Sequence, residues 1–271
     1  MAKQKNRKQN RYLQIIESIF EQHYARGTTT FDFMRDEIVS AAKRLKVDLP
    51  KNLGDVLYSF RYRTELPASI SRRATAGHEW IIRPAGRALY CFVLTPKGLA
   101  NIKPSAALAE TKVLDSTPGV IAAYALSDER ALLAKLRYNR LIDIFTGLTC
   151  YSLQNHLRTT APGMGQVETD EIYIGMDKRG VHFVLPVQGK GGRDKIGIVQ
   201  IEQDFAVCVA KFPALVCRPI AAQFMADDLI ALFAFERVDG AVKVVDEKHY
   251  CLVGPDALSA QELLAYQGRQ G

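Results

Sequence analysis

Residues 167–190, with the sequence VETDEIYIGMDKRGVHFVLPVQGK, are the strongest indication of the fold in the second half of the chain. Two apolar-rich runs of strand-forming residues flank the polar turn Asp177–Gly180, which is the pattern of a β-hairpin. Asp170 precedes the turn by seven residues, and Gln188 follows it by eight. Folding the hairpin is therefore expected to bring Asp170 close to Gln188 and Lys190.

A carboxylate, a second oxygen ligand and a lysine at one end of a hairpin are the groups that Mg²⁺-dependent phosphodiester cleavage requires. Oxygen atoms hold the cation, the cation polarises the phosphate and activates water, and the lysine orients that water or stabilises developing charge. Glu168 is a candidate for a further ligand. Alternating charges on a hairpin are also typical of a solvated face. The run Gly189–Gly192 argues against that interpretation, because three glycines around one lysine let a phosphate backbone approach closely.

This stretch resembles the core of the PD-(D/E)xK nucleases, which many restriction endonucleases share. Thr169-Asp170 stands where the family has Pro-Asp, and Gln188-Gly189-Lys190 stands where it has (D/E)-x-Lys. Residues 191–213 fit the helix that follows this hairpin in the family. The resemblance covers about residues 130–235 and implies a restriction-endonuclease-like core, a mixed β-sheet flanked by helices. It also implies one or two Mg²⁺ ions, double-stranded DNA as substrate and 5′-phosphate products.

One departure from the family concerns the second acid, because Gln188 occupies its position and a neutral amide is a poorer Mg²⁺ ligand than a carboxylate. Glu202 lies on the next helix with only apolar residues as helical neighbours. Burying it unpaired would cost on the order of several kcal/mol, so a metal ion or a cationic side chain is its expected partner. Some restriction enzymes carry the acid on this helix about a dozen residues after the lysine, and Glu202 follows Lys190 by twelve. Glu202 is thus either a metal ligand or the partner of a core arginine, and Gln188 remains a candidate ligand.

Composition places the chain among ordinary globular proteins with room for two domains. Its 271 residues are 48% hydrophobic and 24% charged, and no apolar run is long enough to span a membrane. The basic N-terminus lacks the apolar core of a signal peptide, so a cytoplasmic location is expected. The five cysteines are dispersed and form no C-x-x-C pair, which predicts buried free thiols rather than a zinc site or a disulfide framework.

The net charge of +7 is unevenly distributed. Residues 1–105 contain 19 Lys and Arg against 9 Asp and Glu, a formal charge of +10, whereas the remainder contains 17 against 20. A basic half joined to a mildly acidic half suggests that the first contacts a polyanion and the second binds cations.

Residues 1–105 predict a winged helix-turn-helix domain. Apolar residues at helical spacing indicate helices over residues 11–24, 30–45 and 52–62, and two strand-like runs follow at 79–83 and 88–95. Three helices and a hairpin occur in this order in winged-helix proteins, whose last helix enters the major groove. Three amphipathic helices are equally typical of a protein-interaction module.

The third helix and the loop after it supply the side chains expected to contact DNA. Asparagine and arginine suit adenine and guanine edges, and arginine also binds phosphates. The predicted DNA-binding residues are Asn52, Ser59, Arg61, Arg63, Arg72 and Arg73.

The remaining segments complete a two-domain prediction. Residues 106–128, rich in Ala, Ser and Pro, are expected to link the winged-helix domain to a nuclease domain at 129–271. That domain is expected to open with a helix over 129–158, broken near Gly147, and to end with a strand over 218–224 and a strand pair within 242–253.

The function predicted from the sequence is that of a site-specific, Mg²⁺-dependent DNA endonuclease. Its catalytic residues are Asp170, Gln188, Lys190 and Glu202, and its metal ligands are Asp170, Gln188, Glu202 and Glu168. A homodimer is expected, because each chain has one candidate site and a duplex has two strands to cut. The alternative is a DNA-binding regulator whose nuclease-like domain is inert, with Gln188 as the observation that favours it.

Overall fold

The computed structural model of the protein describes residues 2–62, 64–124, 129–191, 194–225 and 229–268. The chain has a mixed α+β fold that divides into two compact units. The first unit comprises Met1–Lys103, Thr160–Val167 and Lys195–Ala206, and the second comprises Pro104–Thr159, Glu168–Asp194 and Val207–Gly271.

The first unit combines helices with a small antiparallel sheet. The elements of its segment Met1–Lys103 are, in chain order, α1 (Ala2–His23), β1 (Thr30–Met34), α2 (Arg35–Leu45), α3 (Gly54–Tyr62), α4 (Ala68–Ser71), β2 (His78–Gly86) and β3 (Leu89–Pro96). The three strands have the order β1-β3-β2, and both neighbouring pairs are antiparallel.

An aromatic cluster forms the core of the first unit. The Phe20 ring of α1 lies 5.2 Å from the rings of Trp80 and Phe92, in edge-to-face contact with both. Ile38 of α2 and Leu57 of α3 are buried in the same core. The apolar stripes expected of the helices therefore meet the apolar face of the small sheet.

The helix predicted over residues 30–45 is wrong in its first five residues, which form β1. The sequence TFDFM alternates side chains in the way a strand does, and it buries Phe33 while Asp32 is exposed. Phe33 of β1 pairs with Tyr90 of β3. The helix α2 begins at Arg35. In its first turn, Glu37 accepts a hydrogen bond of 2.7 Å from the backbone N–H of Met34.

The elements after residue 103 are organised around a larger, mixed sheet. They are β4 (Glu110–Leu114), α5 (Gly119–Ala122), α6 (Glu129–Tyr138), α7 (Leu141–Thr146), β5 (Thr149–Ala161), β6 (Gly165–Met176), β7 (His182–Lys190), α8 (Ile198–Lys211), β8 (Val216–Cys217), β9 (Ile220–Phe224), β10 (Leu229–Val238), β11 (Ala241–Val253), a 3-10 turn (Pro255–Ala257) and α9 (Ala260–Gln267). The 8-stranded sheet has the order β4-β11-β10-β9-β7-β6-β5, with β8 also paired to β7. Strand β4 lies within the segment expected to link the two domains.

Both faces of this sheet bury apolar side chains in the second unit. Tyr173, Leu185 and Val187 pack on the face covered by Leu136 of α6 and Ile142 of α7. Ile172 and Val184 pack on the other face against Cys208. The alternation of neighbouring residues between these two cores fixes the direction of each side chain on β6 and β7.

The helix predicted over residues 129–158 is also wrong in its second half. Helix α7 ends at Thr146, where Gly147 has a φ of +67°, a backbone conformation that favours glycine. Residues 149–161 then form β5, and Cys150 is buried between the exposed Thr149 and Tyr151. The strand pair expected within residues 242–253 is likewise a single strand, β11, paired to β10.

The prediction that no cysteine takes part in a disulfide is wrong for one pair. Cys208 and Cys217 are bonded, with their Cα atoms 5.9 Å apart. Cys208 lies on α8, and Cys217 lies nine residues later on the two-residue strand β8. The turn between these two elements brings the two thiols together. Within the described ranges, no helix is long and apolar enough to cross a membrane.

Candidate metal centre on the β6–β7 hairpin

The hairpin predicted from residues 167–190 is confirmed, and its turn is held by Asp177. That carboxylate accepts hydrogen bonds from the backbone N–H groups of Arg179 and Val181 at 2.8 and 3.0 Å. The two strands pair from Met176 opposite His182 to Glu171 opposite Val187. Continued outward from there, the register sets Asp170 opposite Gln188 and Glu168 opposite Lys190.

These four residues, named here the β6–β7 cluster, share one face of the sheet because side chains directly opposite one another point to the same side. Asp170, Gln188 and Lys190 are 7%, 1% and 8% exposed. Asp170 Oδ2 accepts a hydrogen bond of 2.9 Å from the backbone N–H of Gly189, and Lys190 Nζ lies 4.0 Å away. The predicted convergence of a carboxylate, an amide and a lysine is therefore confirmed.

The amide of Gln188 is oriented by the opposite strand. Its Nε2 donates to the backbone carbonyl of Glu168 at 3.3 Å. Glu168 itself lies at the open side of the cluster, where its side chain is 44% exposed and 3.1 Å from the guanidinium of Arg158. His156 is 4.0 Å from the same carboxylate. The cluster thus has a buried end at Asp170 and a partly solvated end at Glu168.

Gln223 on β9 is a neighbour of the cluster that the sequence interpretation missed. Strands β7 and β9 are parallel, and Lys190 is paired with Gln223. Gln223 is 9% exposed, and its Nε2 donates to the backbone carbonyl of Asp194 at 3.1 Å. Its Oε1 has no hydrogen-bond partner within the part of the chain that the structure describes. A lone polar residue in the otherwise apolar run IAAQF was the signal that would have identified it.

The opposite face of β6 carries a second carboxylate with a different role. Glu171 is 0% exposed and accepts hydrogen bonds from Arg137 Nη2 at 2.9 Å, from Arg137 Nε at 3.1 Å and from the hydroxyl of Ser152. Burial lowers the pKa of Arg137, but the charge and hydrogen bond of Glu171 together with those of Tyr173 outweigh burial and raise that pKa. Burial, together with the charge of Glu171, raises the pKa of Tyr173. This carboxylate is paired with a cationic side chain through Oε1, while its Oε2 is buried with no hydrogen-bond partner among the described residues.

Glu202 pairs with an arginine, which is one of the two arrangements left open by the sequence. Its carboxylate lies 2.6 Å from Arg83 Nη2, and the two side chains are 15% and 28% exposed. Arg83 belongs to β2, and both residues lie in the first unit. Burial is the main cause that raises the pKa of the nearby Cys91 thiol, which also feels the charges of Arg83 and Glu202.

Ordinary metal-binding side chains do not form a complete site on their own. Among the described residues, no group of three or more His, Cys, Asp or Glu side chains is arranged to hold a metal ion. A divalent cation at the β6–β7 cluster would therefore depend on amide or backbone oxygens in addition to Asp170 and Glu168.

The residues predicted to contact DNA fall into different environments in the first unit. Asn52 Oδ1 accepts from the backbone N–H of Gly54 at 3.1 Å, and its Nδ2 donates to Asp55 at 3.0 Å. The hydroxyls of Ser59 and Thr64 are 2.8 Å apart. The amide of Asn52 is thus already committed to the start of α3.

The predicted arginines differ in exposure. Arg61 is partly buried, and Arg63 lies outside the described residues. Arg72 is exposed and donates to the carbonyl of Ala68 in its own helix at 3.2 Å. Arg73 lies 3.6 Å from Glu21, with its guanidinium 5.4 Å from the ring centre of Tyr24.

Comparison with known proteins gives no relative from which a role could be transferred. No protein-family model matches the chain, and none of the curated proteins or solved structures compared with it is significantly similar.

Proposed function

We propose that this protein is a Mg²⁺-dependent endonuclease of the restriction-endonuclease type that hydrolyses phosphodiester bonds in double-stranded DNA. The observation that carries the proposal is the β6–β7 cluster, in which a buried carboxylate faces a buried amide and a buried lysine. Asp170 has only one hydrogen-bond donor and a lysine at 4.0 Å as its described partners. Because this lysine lies at 4.0 Å, a metal ion bound directly to the carboxylate would offset more of the cost of its burial.

The order of elements supports a PD-(D/E)xK-like core. Helices α6 and α7 precede the consecutive strands β5, β6 and β7, and α8 then leads to β9, which is parallel to β7. Asp170 lies on the second of these three strands, and Gln188 and Lys190 lie on the third. The resemblance found in the sequence places its acid and its lysine at these positions.

The donor set fits Mg²⁺, which prefers hard oxygen ligands and keeps several waters. Asp170 and Gln188 would hold the ion, with Glu168 as a further ligand at the open side. When bound, it would polarise a phosphate and lower the pKa of a coordinated water.

The protein's own groups would prepare the reaction around that ion. The N–H of Gly189 holds Oδ2 of Asp170 in place, and the other oxygen of this carboxylate would bind the ion. Lys190, held at 8% exposure, would stabilise negative charge that develops on the phosphate. Because Glu202 is engaged with Arg83, we assign the second oxygen of the site to Gln188 rather than to Glu202.

The first unit is proposed to be the DNA reader. Its helices and its three-stranded sheet follow each other in a helix–strand–helix–helix–helix–strand–strand order, in which the third of the consecutive helices is the four-residue α4, and this order supports the winged-helix interpretation. The charge of +10 over residues 1–105 supports binding to a polyanion. Arg72 is the exposed cation best placed to contact phosphate, and a homodimer would supply a second site for the second strand.

The rival function, a regulator that binds DNA without cutting it, is favoured by the amide of Gln188 in the place of an acid. Incubation of supercoiled plasmid with the protein and Mg²⁺ distinguishes the two. The nuclease is expected to give nicked and linear DNA that DNA ligase can rejoin, since its products carry 5′-phosphates, and EDTA is expected to stop the reaction. Retarded but intact plasmid at every Mg²⁺ concentration would establish the regulator.

A further inference from the structure

We propose that Gln223 of β9 is an additional oxygen ligand of the divalent cation at the β6–β7 cluster. This inference rests on the proposed function, since it assumes that the cluster binds a cation. It adds a third strand to the site and assigns a role to a residue outside the hairpin.

The position of Gln223 follows from the sheet. Strands β7 and β9 are paired in parallel from Val187 with Ile220 to Lys190 with Gln223. Neighbouring strands lie roughly 4.8 Å apart, and paired residues point to the same face. Gln223 therefore shares the face of Lys190 and Asp170.

The orientation of the Gln223 amide is set by its hydrogen bond to Asp194. A backbone carbonyl only accepts hydrogen bonds, so the amide must present its NH₂ group to it. That bond of 3.1 Å leaves Oε1 on the other side of the amide. Among the described residues, this oxygen has no hydrogen-bond partner although the side chain is 91% buried, since only 9% is exposed.

A buried acceptor without a donor is costly, typically about 1–3 kcal/mol, and is rare in folded proteins. Three residues of the same strand, Ile220, Ala221 and Ala222, are fully buried and apolar. An apolar residue at position 223 would avoid this cost. A bound group that needs an electron-pair donor would explain why an amide stands at this position. A divalent cation beside Asp170 is such a group.

The donor chemistry explains why a second amide is useful here. Within the β6–β7 cluster, only Asp170 supplies a buried carboxylate, and Gln188 stands in the place of the second acid. Cation affinity depends on the number and charge of the ligands. A further amide oxygen on β9 compensates in part for the missing charge without adding a second buried carboxylate.

The test measures cation binding by the full-length protein without DNA, with Mn²⁺ as the probe and the EPR signal of free Mn²⁺ as the readout. Gln223→Met keeps the volume but removes the oxygen, and it is expected to weaken binding by roughly tenfold or more. Gln154→Met, a matched change at an exposed glutamine on β5, is expected to leave the dissociation constant unchanged. Gln223→Glu adds charge to the same oxygen position and is expected to tighten binding.

Asp170→Asn separates this inference from the proposed function. If Asp170→Asn binds Mn²⁺ as tightly as the wild-type protein, the cluster is not a metal site, and the proposed function fails with it. If Asp170→Asn loses binding while Gln223→Met stays within about twofold of wild type, only the role of Gln223 is overturned. Should Gln223→Met not fold, Gln223→Glu decides alone: tighter binding supports the ligand, and equal or weaker binding overturns it.

Discussion

The two faces of strand β6 hold neighbouring carboxylates in opposite states. Glu171 is fully buried and accepts three hydrogen bonds from Arg137 and Ser152. Asp170, one residue away on the other face, accepts one backbone hydrogen bond and has Lys190 at 4.0 Å. All three bonds reach Oε1 of Glu171, and its Oε2 is buried with no hydrogen-bond partner among the described residues. The charge of Glu171 is paired with Arg137 at 2.9 Å, whereas Lys190 lies 4.0 Å from Asp170. The two acids therefore differ in how closely a cationic side chain pairs with them, and we expect Asp170 to be the one that binds a metal ion.

The largest effect on stability is expected from removing the partner of Glu171. Arg137→Met would leave a fully buried carboxylate with Ser152 as its remaining donor, at a cost of about 3 kcal/mol in the free energy of unfolding. This is the lower end of the usual range, because the Arg137 side chain is 40% exposed. Urea unfolding measures the change. Arg140→Met, which removes the ion pair between the exposed Arg140 and Asp143, serves as the control and should cost clearly less than Arg137→Met. Equal losses would remove the contrast between the two faces.

Substitution of Lys190, on the same face as Asp170, tests the difference between the two faces by DNA cleavage. Lys190→Met is expected to slow single-turnover DNA cleavage by about 10²-fold, because charge stabilisation at the phosphate is lost. DNA affinity should change little, since the reader is proposed to lie in the first unit. Lys178→Met, an exposed lysine in the β6–β7 turn, should cleave at the wild-type rate. A Lys190→Met protein that also cleaves at that rate would exclude Lys190 from the site.

Glu202 extends the comparison to a third carboxylate, which we group with Glu171. Glu202→Gln should lower the free energy of unfolding by about 2 kcal/mol, because the charge-assisted bond with Arg83 becomes an ordinary one. Cleavage by the folded protein should be unchanged. Thermal unfolding and plasmid cleavage on the same preparation measure both properties. A stable but inactive Glu202→Gln protein would instead make Glu202 the second acid of the site.

The smallest effect is expected from Arg72 and Arg73, two adjacent arginines that also differ in their partners. Both side chains are exposed, but Arg73 contacts Glu21 and the ring of Tyr24, whereas Arg72 donates to the carbonyl of Ala68. Arg72→Ala should reduce the slope of log affinity against log salt by about one, as expected for one lost phosphate contact. Arg73→Ala should leave the slope unchanged. Fluorescence anisotropy with duplex DNA over a range of salt concentrations measures both slopes, and identical slopes for the two variants would contradict the assignment.

The sequence was sufficient where a local pattern determines the structure. The turn at Asp177–Gly180 and two apolar runs of matching length fixed the hairpin register, and the register placed Asp170 beside Gln188 and Lys190. The helix over residues 52–62 and the strands β2 and β3 were likewise predicted from the spacing of neighbouring apolar residues. Residues 30–34 were misassigned because Thr30 resembles a helix cap, while their strand character depends on pairing with β3.

What the sequence left open depends on contacts between distant segments. The helical neighbours of Glu202 are apolar, but its partner Arg83 comes from a strand more than a hundred residues earlier. Gln223 was overlooked because its strand is otherwise apolar, and its unpaired oxygen becomes visible only when β9 lies beside β7. Cys208 and Cys217 are likewise brought together by the turn after α8.

The most direct test of the central claim is a plasmid-cleavage assay with Asp170→Asn, a change that keeps the shape of the side chain and removes its charge. We expect wild-type protein to cut supercoiled plasmid in the presence of Mg²⁺, and Asp170→Asn to retain its fold and its DNA affinity but to produce no nicked or linear product. An Asp170→Asn protein that cuts plasmid at the wild-type rate would contradict the account, because the buried carboxylate of the β6–β7 cluster would then have no part in the chemistry.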